Sequence, residues 1–173
     1  MAPVVRRTWA PRGKTPVLKQ VGRSHTKVSV IGAICARPGK HGKSRVKGYF
    51  RLYPKQNIDA ARCREFLRQL LNNVHGPVIV VWDRLNAHRS LKVKKFVEST
   101  NGRLTLEYFP PYAPELNPIE YGWAHLKGHV LANCAPKNAE ELFASAKKGI
   151  CTTRRRKDVL SGCIDHAPIH FFD

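Results

Sequence analysis

Apolar and polar positions change period several times along the chain, and each change marks an element. Residues 27–36 (KVSVIGAICA) set Val28, Val30, Ile31 and Ile34 in a strand-like run. A basic turn at 37–45 (RPGKHGKSR) follows, and residues 46–53 return as the partner strand. The period then lengthens. Cys63, Phe66, Leu67, Leu70, Leu71 and Val74 recur at helical spacing, with Asn57 or Asp59 as N-cap and Gly76-Pro77 as the stop. Residues 78–82 (VIVVW) are apolar without alternation, which predicts a strand buried on both faces. Ser90 then starts a helix that turns Val93, Phe96 and Val97 inward and Lys92, Lys94 and Lys95 outward.

The second half begins with 104–109 (LTLEYF), an alternating strand stopped by Pro110-Pro111 because proline cannot donate to a ladder. Pro114 and Pro118 stiffen the loop beyond it. Asn117 reads as N-cap, Pro118 as the first helical residue and Glu120 as the third, a capping-box arrangement. Ile119, Trp123, Leu126 and Val130 form that helix's apolar stripe. After a turn through 133–136, Asn138 and Glu141 predict a second capping box, and Leu142, Phe143, Ala146 and Ile150 continue the helix. Residues 161–173 read as irregular. Residues 1–25 are broken by Pro3, Pro11, Gly13, Pro16 and Gly22 and read as a loop or irregular hairpin. Alternating strands and helices in 173 residues amount to one α/β domain.

Charge changes the picture. Lys and Arg total 31 against 12 acids, a net charge of +19 that calls for a polyanionic partner. DNA or another nucleic acid is the first candidate and an anionic membrane surface the weaker one. No apolar run approaches the ~20 residues of a membrane span. Five cysteines without a C-x-x-C pair fit reduced thiols in a cytoplasm. Trp9 among Arg6, Arg7, Arg12 and Lys14 reads either as a stacking platform with phosphate-holding cations or as an anchor for a basic loop. Arg154, Arg155 and Arg156 read as a phosphate clamp or an exposed helix end. Gly42-Lys43-Ser44 resembles the end of a phosphate loop, but Arg37 stands where that motif needs glycine, which excludes a nucleoside triphosphatase of that type.

Two acids lie where such folds deliver functional groups. Asp83 ends a predicted strand and points to the crevice at the sheet's carboxyl end, although Asp is also a common turn residue. Glu120 stands beside an apolar stripe in a helix's first turn, although the capping box accounts for it structurally. His88 reads as a hydrogen-bonding loop residue. His125 and His129 lack the Glu and third ligand of a zinc motif, and Cys163, His166 and His170 lack a close cysteine pair.

The stretches WDRLNAH and YFPPYAPELNPIEYGWAHLK resemble the DDE transposases, or DDE superfamily endonucleases, of bacterial insertion sequences in the mariner-like branch. Asp83, His88, Pro110, Pro111, Tyr112, Pro114, Leu116, Asn117, Pro118, Ile119, Glu120 and Trp123 match the family pattern. Arg84 departs from it, since Asn is more usual there. The resemblance is strong over 78–131 and looser elsewhere. It implies a ribonuclease-H-like mixed five-stranded sheet flanked by helices, strand order 3-2-1-4-5. It also implies metal-dependent DNA cleavage and strand transfer, with three carboxylates holding two Mg²⁺ or Mn²⁺ ions. Asp83 and Glu120 correspond to the second and third carboxylates as catalytic and metal-binding residues. Arg6, Arg7, Trp9, Arg12, Lys14, Arg154, Arg155 and Arg156 are the candidate DNA contacts.

The family's first acid lies on the first, central strand, upstream of a segment like WAPRG, and no Asp or Glu precedes Asp59 here. The expectation is therefore a single catalytic domain over 1–173 that lacks its first strand. It divides into a basic arm (1–25), a core (26–131) and a basic C-terminal helical region (132–173). Such a fragment would be inactive alone. Its expected setting is a bacterial cytoplasm, associated with the nucleoid. Its expected partners are transposon-end and target DNA, a second copy on that DNA, and an upstream-frame product supplying the first Asp and a helix-turn-helix. The rival is a non-catalytic basic nucleic-acid-binding protein or transposase remnant, with Asp83 and Glu120 as turn and cap residues.

Overall fold

The computed structural model describes residues 4–17, 27–39 and 44–169. The turn tip expected at 40–43, parts of the N-terminal loop (1–3 and 18–26) and 170–173, including His170, lie outside the described residues. The expected elements form nearly in place. Strand β1 (Val28–Arg37) pairs antiparallel with β2 (Arg45–Pro54), Gly32 opposite Phe50. Helix α1 (Ala60–Asn73) starts at Asp59, whose side chain accepts from the Arg62 N–H at 2.9 Å. Asp59 thus takes the cap rather than Asn57. At the other end, the Arg103 guanidinium donates to the orphan carbonyls of Leu71 (2.6 Å) and Val74 (3.0 Å).

Strand β3 (Val78–Trp82) runs parallel to β4 (Leu104–Tyr108), joined by α2 (Leu91–Glu98). The two strand pairs are separate ladders among the described residues. One core nevertheless spans them: Ile31 and Tyr53 from the hairpin, Trp82 and Leu104 from the parallel pair, and Cys63, Phe66, Leu67 and Leu71 from α1. Here β3 departs from expectation. Only Trp82 is buried, and Ile79 is 69% exposed, so the run is covered on one face rather than two. Helices α3 to α5 pack on the hairpin instead, which leaves that face of β3 without a partner layer.

The C-terminal third is more regular than its sequence suggested. A 3₁₀ turn (Pro114–Leu116) leads into α3 (Pro118–His125), which loosens into a π-helical turn (Leu126–Val130). Helix α4 (Ala139–Arg155) carries Gly149 against that turn, where a Cβ would stand 2.8 Å from Leu126 Cδ1. The expected irregular stretch from 161 onward is helical as far as His166, within helix α5 (Lys157–His166). Its reason is a stripe at helical spacing, Leu160 and Cys163, both buried, followed by Ala167 just past the helix end.

Gly32 decides how α3 sits on the hairpin. A Cβ there would meet the Phe50 ring at 2.7 Å and the Trp123 ring at 2.9 Å, and those two rings pack edge to face with centroids 5.8 Å apart. Neither ring can move away cheaply. Gly32→Ala is expected to cost about 1–3 kcal/mol in urea unfolding through overpacking, with a changed near-ultraviolet signal from Trp123.

Candidate active site

Asp83 directly follows β3, at the carboxyl end of the parallel pair, and its side chain is 57% exposed. One oxygen is fully engaged. Oδ1 accepts from the Leu85 N–H at 3.0 Å and lies 2.7 Å from His88 Nδ1. A carboxylate can only accept, so His88 carries its proton on Nδ1. The His88 ring stacks on Trp82, centroids 4.1 Å apart and planes within 4°, and its side chain is only 12% exposed. Asp83 is therefore both the turn former and a carboxylate whose second oxygen takes no protein hydrogen bond among the described residues. His88 escaped the sequence reading as part of the site. Its signals there were its place five residues after an acid and its match to the family pattern.

Arg84, the residue that departs from the family pattern, donates from Nε to the Phe109 carbonyl at 3.0 Å. It ties the exit of β3 to that of β4. The loop beyond β4 holds Tyr112 fully exposed in the left-handed region (φ 60°).

Glu120 differs from its capping-box expectation. The Asn117 side chain caps the Ile119 N–H at 3.3 Å, and the Asn117 N–H bonds to the Pro114 carbonyl at 3.0 Å. The 3₁₀ turn has taken the donor that Glu120 was expected to satisfy. Its exposed carboxylate makes no hydrogen bond or ion pair among the described residues. The second box forms in altered shape: the Asn138 side chain accepts from the Glu141 N–H (2.8 Å), while Glu141 accepts from the Lys137 N–H (2.8 Å).

No hydrogen bond or ion pair joins Asp83 to Glu120, and no group of three or more His, Cys, Asp or Glu able to hold a metal occurs among the described residues. The second oxygen of Asp83 and the exposed carboxylate of Glu120 are oxygen donors, the ligand type that hard divalent cations take.

The cationic candidates divide into two groups. Arg7, Trp9, Arg12 and Lys14 are exposed, Trp9 completely. Arg6 is held: its N–H bonds Asn133 Oδ1 at 2.8 Å, and its guanidinium lies where a Cβ on Gly128 would be, 2.7 Å away. Arg154 and Arg155 end α4 exposed, whereas Arg156 pairs with Asp158 through Nε at 2.9 Å. That pair holds Asp158 down to about 2.

The Asp83 pKa is lowered, first by the His88 hydrogen bond, with burial opposing and the Leu85 N–H adding. Its folded value lies below the ordinary 3.8. The associated stability is thus complete above 3.8 and lost as pH falls through the folded value. His88→Ala should return the Asp83 carboxyl midpoint toward 3.8 in a ¹³C NMR titration and shrink that acid-side loss. An unchanged midpoint would mean that the Leu85 N–H alone holds the carboxylate.

Residues 1–143 match the family model described as DDE superfamily endonuclease. An uncharacterized protein, y4pE/y4sA of Sinorhizobium fredii (strain NBRC 101917 / NGR234), is 27% identical over 115 residues, covering 65% of this chain and 75% of the relative. Among solved structures, the catalytic domain of Mos1 mariner transposase superposes with a TM-score of 0.46 at 18% identity, covering 83% of each chain. The Mos1 strand transfer complex gives 0.48 at 19% identity, over 98% of this chain and 52% of that one. The chain spans about half the length of the protein in that complex. With most of its length inside the family match, this chain belongs to the DDE superfamily endonucleases.

Proposed function

We propose that this chain carries the second and third carboxylates of a transposase-type DNA endonuclease and strand transferase with a ribonuclease-H-like catalytic domain. The observation that carries the reading is the state of the two acids. Asp83 has one oxygen locked by His88 and the Leu85 N–H, with the other available. Glu120 is exposed and unbonded where a cap was expected. Two Mg²⁺ or Mn²⁺ ions, when bound, would activate the attacking water or 3′-hydroxyl and stabilise the leaving oxygen. The protein's own part is positional. His88 and Trp82 stop the Asp83 carboxylate from rotating, Arg84 fixes the loop beside it, and α3 presents Glu120 from a face seated on β1. Arg7, Arg12, Lys14, Arg154 and Arg155 hold DNA phosphates, with Trp9 and Tyr112 as exposed stacking faces. The setting is the cytoplasm of a bacterium, with transposon-end and target DNA as partners and a second copy on the same DNA. No helix among the described residues is long and apolar enough to cross a membrane.

The sheet supports the idea that one strand is supplied from outside residues 1–173. Among the described residues, β1 bonds only to β2 and β3 only to β4. Their common core holds two buried polar atoms without partners, Tyr53 Oη and Trp82 Nε1. A central strand ending in Asp, contributed by an upstream-frame product, would pair with both open edges and add the third carboxylate. The rival reading, a basic DNA-binding remnant, draws on the net charge of +19 and on the exposed Trp9.

Divalent cation binding separates the two readings. Mn²⁺ at 100 times its Kd should stabilise the folded chain by about 2.7 kcal/mol, and Asp83→Asn should abolish the gain. Glu120→Gln should leave the metal-free stability nearly unchanged and also lose the response. Equal Mn²⁺ shifts in wild type and both variants would favour the remnant.

Extension tests the supplied strand. The chain prefixed with the upstream strand and its Asp should nick DNA with Mn²⁺, and the same extension carrying Asn should fold equally well and cut nothing. Robust nicking by residues 1–173, lost on Asp83→Asn, would show that the third ligand comes from elsewhere.

A further inference from the structure

The outer face of α1 carries a second feature that neither carboxylate explains. A surface cavity of about 340 Å³ lies over it, lined by Tyr53, Gln56, Arg62, Arg64, Glu65 and Arg68 among others. Three of its lining residues are arginines and one is an acid, Glu65. Asp59 is taken by Arg62, whose Nη1 donates to it at 2.8 Å and whose Nε donates to Gln56 at 3.1 Å. Glu65 is taken by Arg51, reaching across from β2 at 2.9 Å. The Arg51 and Arg62 guanidiniums both lie over the Tyr53 ring, 5.6 Å and 5.3 Å from its centroid, and Tyr53 and Arg62 line the cavity.

Arg64 and Arg68 remain. Both are exposed, and neither has a carboxylate or carbonyl partner among the described residues. At i and i+4 they stand one above the other on the helix, an arrangement that destabilises an isolated helix through like-charge repulsion. An anion between them removes that repulsion. Each planar guanidinium fork can also meet a phosphate through paired hydrogen bonds.

We infer that Arg64 and Arg68 form a site for backbone phosphates of DNA, separate from the carboxylates and from the N-terminal arm, gripping the duplex away from the bond that is cut. The DNA identity of the ligand rests on the endonuclease reading, whereas the phosphate chemistry rests on the arginines alone.

The test uses the full chain and a 20-base-pair duplex. Arg64→Gln/Arg68→Gln should weaken binding for all sequences alike and lower the log–log salt slope by about 2, roughly one unit for each phosphate that is no longer neutralised. A charge-matched pair on α4, Lys147→Gln/Lys148→Gln, should change the slope by less than half as much. Arginine Nε–H NMR resonances of Arg64 and Arg68 should shift as duplex is added, while those of Arg51 and Arg62 stay in place. Binding with Arg64 and Arg68 unmoved, or equal slope changes for both double variants, overturns the inference and leaves the endonuclease reading intact. No duplex binding at all overturns both. Inorganic phosphate supplies the remaining arm. If it saturates the two resonances and duplex cannot displace it, the site serves a free phosphate compound and the DNA assignment fails.

Discussion

Among the described residues the two strand pairs share no hydrogen bond, so their relative position depends on the apolar stripe of α1. Cys63, Phe66, Leu67 and Leu71 pack between Ile31 and Tyr53 on one side and Trp82 and Leu104 on the other. Removing apolar surface from water is non-directional. It can hold two ladders in one body without specifying every contact at their junction. That is why a core of this kind tolerates two half-sheets with buried polar atoms unpaired, Tyr53 Oη and Trp82 Nε1, where a continuous ladder would leave less freedom. The carboxyl end of β3 inherits its position from this packing, and Asp83 inherits it from β3.

Placement of the other acid depends on shape rather than on hydrophobic quantity. Gly32 and Gly149 are both positions where an added methyl would strike a neighbouring side chain, at the Phe50–Trp123 pair and at Leu126. The first lets α3 lie close on β1, and the second lets α4 lie close on the π-helical turn. Between those contacts α3 has little room to slide. Glu120 projects from its first turn without local hydrogen bonds, because the preceding 3₁₀ turn has already satisfied the Asn117 N–H. The freedom of that carboxylate is a product of its neighbours.

Charge follows a similar economy. Several acids are used locally: Asp59 with Arg62, Glu65 with Arg51, Asp158 with Arg156, and Asp83 with His88. Most of these pairs are exposed enough to contribute little to stability. Their effect is on distribution. The three pairs with arginine each neutralise one cation, while Arg64, Arg68, the lysines of α2 and α4 and the end of α4 have no acidic partner among the described residues. Arg156 shows the converse, since it belongs to a basic run in the sequence and is paired with Asp158 in the fold.

The sequence by itself determined the elements that local chemistry dictates. Helical spacing from Cys63 to Val74, the caps at Ser90, Asn117 and Asn138, and the β-branched run before Asp83 each formed as local chemistry dictates, while the cap of α1 was narrowed to Asn57 or Asp59. The residue pattern around Asp83 and Glu120 was long enough to point to the family. Tertiary structure decided what depends on neighbours distant in the chain. It left one face of Ile79 bare, turned residues 157–166 into a helix because Leu160 and Cys163 found a surface to bury against, and gave the Asn117 N–H to a carbonyl instead of to Glu120. It also made His88 part of the site, since the ring's stack on Trp82 exists only once β3 and the following turn fold back on each other. Periodicity records which residues prefer burial. Which partner covers them, and which polar group reaches which donor first, is settled only when the elements meet.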